Sequence, residues 1–180
     1  MRMSQHSQVR DGVAAVELAV CAPLLFLLML GTWELGRTVQ VYQILSSAAR
    51  EGARVAAQGQ IINLKGSYTQ ISVNSGTPNV YDAVKNTLHA AGIDVSSFDT
   101  SKVAFTFLDS SGNPVPSPSQ PWQGVKGQRF RVTATLPYDS FRWTTLNLLN
   151  ITQIQVSFDW ACLIDDPFHV DTTLPSWTAY

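Results

Sequence analysis

The chain is short of charge, and what charge it has leans to neither sign: of 180 residues, 12 are Lys or Arg and 13 are Asp or Glu. Past Gly36 the balance is even, with ten cations from Arg37 to Arg142 against ten acids from Glu51 to Asp171. A protein that neutralises phosphate backbones gathers Lys and Arg into a patch or stripe, and no such stripe is present, so nucleic acid is excluded as a partner. Cysteine is scarcer still. Cys21 sits in an apolar run and Cys162 near the C-terminus, environments too different for a natural disulfide, and neither belongs to a metal-spaced pair. The three histidines, His6, His89 and His169, have no readable catalytic partner. Asp165, Asp166 and His169 lie close together, but Pro167 interrupts them and no second cluster completes a coordination shell. There is no phosphate-binding glycine loop and no Ser or Cys nucleophile in a recognisable setting. The expectation is a protein that is not an enzyme and holds no metal and no cofactor.

What the chain does have is one long apolar run. Between Val13 and Leu30 only Glu17 and Pro23 are not apolar, so a bulk apolar content of 45% conceals a greasy segment joined to a more polar remainder. A bilayer core of about 30 Å takes about 20 helical residues, and Val13 to Trp33 is of that length. Trp33 is an aromatic of the kind that sits at the water interface, and Glu34 and Arg37 mark where the polar phase resumes. Ahead of the run stand Arg2 and Arg10 against one acid, Asp11, a small positive bias that places the N-terminus in the cytoplasm and the rest of the chain outside. A cleaved secretory signal begins in the same way, but here the run is followed by Gly31-Thr32-Trp33-Glu34-Leu35-Gly36-Arg37, without a small-x-small cleavage site.

Glu17 is the residue that a plain anchor does not explain. A carboxylate inside a membrane helix costs about 2.5–3.5 kcal/mol on insertion scales, so it needs a partner, a proton or a purpose. It is the fifth residue after Gly12. A cut after Gly12 would give Val13 a new α-amino group, with a pKa of about 7.7–8.0 and mostly positive at neutral pH. That ammonium could pair with Glu17 of a neighbouring subunit, and a buried pair of this kind would mainly set register.

The stretch Gly12-Val13-Ala14-Ala15-Val16-Glu17-Leu18-Ala19, then Ala22-Pro23-Leu24-Leu25, Trp33-Glu34-Leu35-Gly36-Arg37 and Ala48-Ala49-Arg50-Glu51-Gly52-Ala53-Arg54, resembles the TadE-like family of pilus-associated membrane proteins. The resemblance covers about residues 10–58. It implies a minor pilin or pseudopilin of the bacterial tight adherence (Flp-type) pilus in the cytoplasmic membrane. By the same resemblance a prepilin peptidase cuts between Gly12 and Val13, leaving 168 residues (180 less the first 12). Implied partners are that peptidase, other pilins or pseudopilins, pilus-assembly proteins of the inner membrane and the lipid bilayer. The alternative is a single-pass anchor for an extracytoplasmic ligand-binding domain that joins no filament.

Beyond the run, Leu35, Thr38, Tyr42, Leu45, Ala49, Gly52 and Ala56 recur at spacings of three and four, extending the helix with a stripe of small residues in its lower half and a stop at Gly59. Thr77-Pro78-Asn79 opens a second helix with the stripe Val80, Val84, Leu88 and Ala91, closed by Gly92. Three segments then alternate with period two: 103–108, 129–136 and 153–160. Asp109 to Pro121, with four prolines, reads as a long exposed loop. The predicted fold is α+β: a leader at 1–12, a membrane-spanning and projecting helix at 13–58, and an outer domain at 59–180 with an antiparallel sheet and a packed helix.

Overall fold

The computed structural model describes residues 5–62, 67–142 and 151–164. The acidic and histidine cluster Asp165, Asp166 and His169 therefore lies outside the described residues, as does most of the C-terminal tail. Helix α1 runs from Gln5 to Gln58, 54 residues and unbroken through Pro23, which at 1.5 Å per residue makes a rod of about 80 Å. It ends where the sequence places a stop: Gly59 has φ +61°, and its N–H donates to the Ala56 carbonyl. A Cβ at Gly59 would also run into the side chain of Ile164.

The outer domain is a four-stranded antiparallel sheet in the order β4-β3-β5-β6, formed by Pro114–Val115, Val103–Leu108, Arg129–Pro137 and Gln153–Ala161. Its register pairs Phe105 with Val132 and Val132 with Phe158, then Val103 with Ala134 and Ala134 with Val156, so that apolar side chains fall in rows on one face. The opposite face carries Thr106, Arg131 and Asp159 in one row, with the Arg131 guanidinium donating to both carboxylate oxygens of Asp159 at 2.6 and 2.8 Å. A slip of one residue would exchange the two faces, so the alternation read in the sequence also fixes the pairing.

The apolar face is covered by α1 and by α2, Val80–Ala90, which packs beside it. The start of α2 is capped by Asn79, whose Oδ1 accepts from the Asp82 backbone N–H at 2.7 Å. Buried residues of α1 are Val41, Leu45, Ala48, Ala49, Ala53, Ala56 and Ala57, at the offsets 0, 4, 7, 8, 12, 15 and 16 expected of one helical face. Gly52 lies on the same face, where a Cβ would meet Val84 Cγ2 of α2 at 2.6 Å. The small residues of the Ala48–Ala57 stretch thus let α1 approach both α2 and the sheet.

Three expectations change. Leu35 and Tyr42 are exposed, and Val41 takes the place in the buried stripe that the three-four spacing gave to Tyr42. The reason is that a short helical stripe can be drawn through either neighbour, and only the position of the sheet chooses. Ala91 is likewise exposed, serving as the cap residue of α2 instead of part of its buried face. The Asp109–Pro121 segment is not loop throughout: Asp109 accepts from the backbone of Ser111 and Asn113, folding a turn that returns Pro114–Val115 to pair with β3. A small hairpin of β1 (Gln60–Ile62) and β2 (Tyr68–Gln70) also follows α1; three-residue strands are too short to show a period.

Cys162 is a core residue. Its sulfur lies where a Cβ on Gly124 would come within 2.6 Å, and burial pushes the thiol pKa up to about 11, so it is neutral and inert.

Candidate functional site

Within α1, residues 14 to 20 are all exposed, as are the large side chains Leu24, Leu25, Phe26, Leu27, Leu28 and Met29. An 18-residue window of this helix is long and apolar enough to cross a membrane, and none of it is buried inside the chain. A core helix of a soluble domain would be covered by the rest of the fold, whereas this one meets only its surroundings, so α1 has the character of a single-pass membrane anchor.

Gly12 is exposed on the same helix, with open space around the position of a Cβ. Val13 lies inside α1. Glu17 is exposed, and among the described residues no hydrogen bond or ion pair reaches it. The described part of the fold thus brings no side chain to the carboxylate that the sequence singles out.

Where the helix leaves the apolar stretch, the domain comes down to meet it. β5 descends antiparallel to α1 and ends in a turn, Tyr138–Ser140, from which the Tyr138 hydroxyl donates to Glu34 Oε1 at 2.5 Å. Tyr138 is buried and its ring packs edge-on against Phe141, centroids 5.0 Å apart. At the other end, the Leu163 N–H donates to the Ala57 carbonyl at 2.8 Å. The domain is therefore tied to α1 at both ends of a 24-residue stretch, about 35 Å of helix. Sequence reasoning treated Glu34 only as a marker of the water phase, and no pattern within one segment could have paired it with a tyrosine 104 residues away.

This tie is sensitive to alkali. The hydrogen bond to the Glu34 carboxylate, then burial, raise the Tyr138 pKa from its ordinary 10.0 to about 12. Because the folded value lies above the unfolded one, the contribution is fully present below pH 10 and is lost as the pH rises through about 12. Unfolding followed from pH 9 to 12.5 should show this loss in the native chain and a flatter profile in Tyr138→Phe. Parallel profiles would mean that the hydroxyl contributes nothing to holding the domain down.

Among the described residues no group of three or more His, Cys, Asp or Glu is placed to hold a metal ion. The geometry that stands out is that of an exposed apolar rod, one uncompensated carboxylate and a domain seated at its exit. Residues 12–54 match the TadE-like protein family. The match opens at Gly12, includes Glu17 and Glu34, and closes at Arg54, so it spans the exposed anchor and most of the part of α1 that packs against the domain. A match of this kind points to a protein associated with the tight adherence pilus. Neither the curated proteins nor the solved structures gave a match to this chain.

Proposed function

We propose that the protein is a minor pilin or pseudopilin of a tight adherence pilus, cut by a prepilin peptidase after Gly12 and assembled through the apolar half of α1. The observation that carries this reading is Glu17: a carboxylate five residues after Gly12, on an exposed apolar helix, without a partner among the described residues of its own chain. A simple anchor gains nothing from such a group, since in lipid it costs about 2.5–3.5 kcal/mol. In an assembly the α-amino group that cleavage creates on Val13 would supply its counter-charge, two costly groups each relieving the other. The N-terminus then lies in the cytoplasm, α1 spans the inner membrane, and the α+β domain stands on the outer side with pilin partners beside it.

Mass spectrometry of the chain purified from its native membrane should find Val13 as the first residue. A retained Met1 in a host with an active prepilin peptidase would remove the processing step. Recovery as a solitary monomer in mild detergent, with no pilus-assembly protein, would favour the anchored binding domain instead.

A further inference from the structure

We propose that the cleft at the foot of the outer domain binds the phosphate group of an anionic phospholipid, in the leaflet on which the domain stands. This rests on the membrane-anchored reading above and adds a ligand to it. The cleft has a volume of about 600 Å³ and lies between α1 and the residues that follow the Tyr138–Ser140 turn. Its walls include Trp33, Arg37 and Gln40 from α1, and Phe141 and Arg142 from the domain.

Height is the first argument. If the hydrocarbon core ends at Trp33, Arg37 is four residues higher, about 6 Å along the helix axis. The headgroup layer is about 5–7 Å deep on each side of the core, so Arg37 falls at the level of the lipid phosphates. The Tyr138 to Glu34 hydrogen bond holds the domain at that height, and Arg142 follows four residues after Tyr138.

Charge is the second. Two guanidiniums from two separate elements line the cleft, and among the described residues no carboxylate lines it. The acids nearby are engaged around it: Glu34 accepts from Tyr138, and Asp139 lies 3.4 Å from Arg142 Nε with 78% of its side chain exposed. An ion pair so open to solvent is weak, about 0–1 kcal/mol. Arg37 donates to Gln40 Oε1 at 3.1 Å. A guanidinium carries five N–H donors, so these contacts leave both arginines able to bind phosphate oxygens. Trp33, 62% exposed, supplies the third element, an amphipathic ring at the boundary on which the glycerol and upper acyl carbons can lie. A free phosphate ion would meet the same two arginines but would make no use of Trp33 or of the height.

The test is native mass spectrometry of the full chain released from nanodiscs of equal phosphatidylglycerol and phosphatidylcholine. At about 1 kcal/mol per arginine, the chain should retain phosphatidylglycerol in about 25-fold preference. Arg37→Gln and Arg142→Gln should each lower the preference about fivefold, and the double variant should abolish it. Arg54→Gln removes the same charge on α1 away from the cleft and should leave it unchanged. No preference in the native chain, or an undiminished one in the double variant, overturns the proposal. Inorganic phosphate bound by the lipid-free chain through the same arginines, and not displaced by phosphatidylglycerol, would make the cleft a free-ion site and overturn it too. Flotation with phosphatidylcholine vesicles separates the two readings: failure to float sinks the anchor, whereas flotation without lipid preference sinks only the cleft.

Discussion

Glu17→Ala should leave the chain inserted and cut after Gly12 yet unable to enter a pilus. Removing a carboxylate from a lipid-facing helix relieves a cost to the lone chain, so insertion is at least as favourable as before. In the proposed assembly the same change strands the Val13 ammonium of a neighbour. Breaking one side of a buried ion pair costs about 3–5 kcal/mol, more than a hundredfold in each subunit contact. Glu17→Gln keeps the shape and loses the charge, so it should behave as the alanine variant does, whereas Glu17→Asp should retain part of the function. Piliation counted by electron microscopy, with membrane fractionation and N-terminal mass as controls, checks this. Normal pili in both the Ala and the Gln variants would show that the charge has no part in assembly.

Gly52→Val should unfold or severely weaken the outer domain. The site is buried where α1 meets α2 and the sheet, and even a single Cβ there would stand 2.6 Å from Val84 Cγ2 and 3.4 Å from Val80 Cγ1. Val80 and Val84 are fully buried, so they have no open space into which to move. Overpacking a tight core costs about 1–3 kcal/mol, and a branched side chain at a helix crossing falls at or beyond the upper end. Gly36→Ala is the matched comparison: on the same helix, with nothing within 4 Å of its Cβ position, it should stabilise by up to about 1 kcal/mol through helix propensity. Thermal unfolding of the domain, followed by circular dichroism, measures both. A Gly52→Val chain as stable as the native one would mean that the close approach of α1 to α2 is not required.

The seam of small residues runs through the end of the family match and two positions beyond it. Ala48, Ala49, Gly52, Ala53, Ala56 and Ala57 look in composition like a stretch with little to bury. In the fold they let the backbone of α1 lie close to the sheet, while Phe107, Phe130, Leu88 and Leu136 contribute the bulk of the core. Arg50 and Arg54 stay off this face, Arg50 over the Phe158 ring at 5.1 Å and Arg54 paired with Glu51. The Arg-Glu-Gly-Ala-Arg run is thus a packing edge with a solvated side.

Local chemistry made most of the elements legible. The end of α1 at Gly59, the cap region of α2 and the three long strands all follow from period, caps and turn residues, because those signals act within a few residues of chain. The proposed site rests on sequence in the same way, since Gly12 and Glu17 stand out against an apolar run whatever the rest of the chain does. What stayed hidden depends on distant partners. The choice of Val41 over Tyr42 for the buried face, the pairing of Pro114–Val115 with β3 and the Tyr138 to Glu34 hydrogen bond each join segments far apart in sequence.

By itself the sequence determined that this protein has an apolar helix bearing one carboxylate, followed by an α+β domain of balanced charge. The even balance of charge and the scarcity of cysteine need no fold to be seen. Only the tertiary structure decided that Glu17 has no partner among the described residues of its own chain, and that the domain is fastened to α1 beside Trp33 with two arginines in one cleft. The physical reason is that composition and period report what each segment must bury, while a contact between separate segments exists only once packing has fixed their relative height.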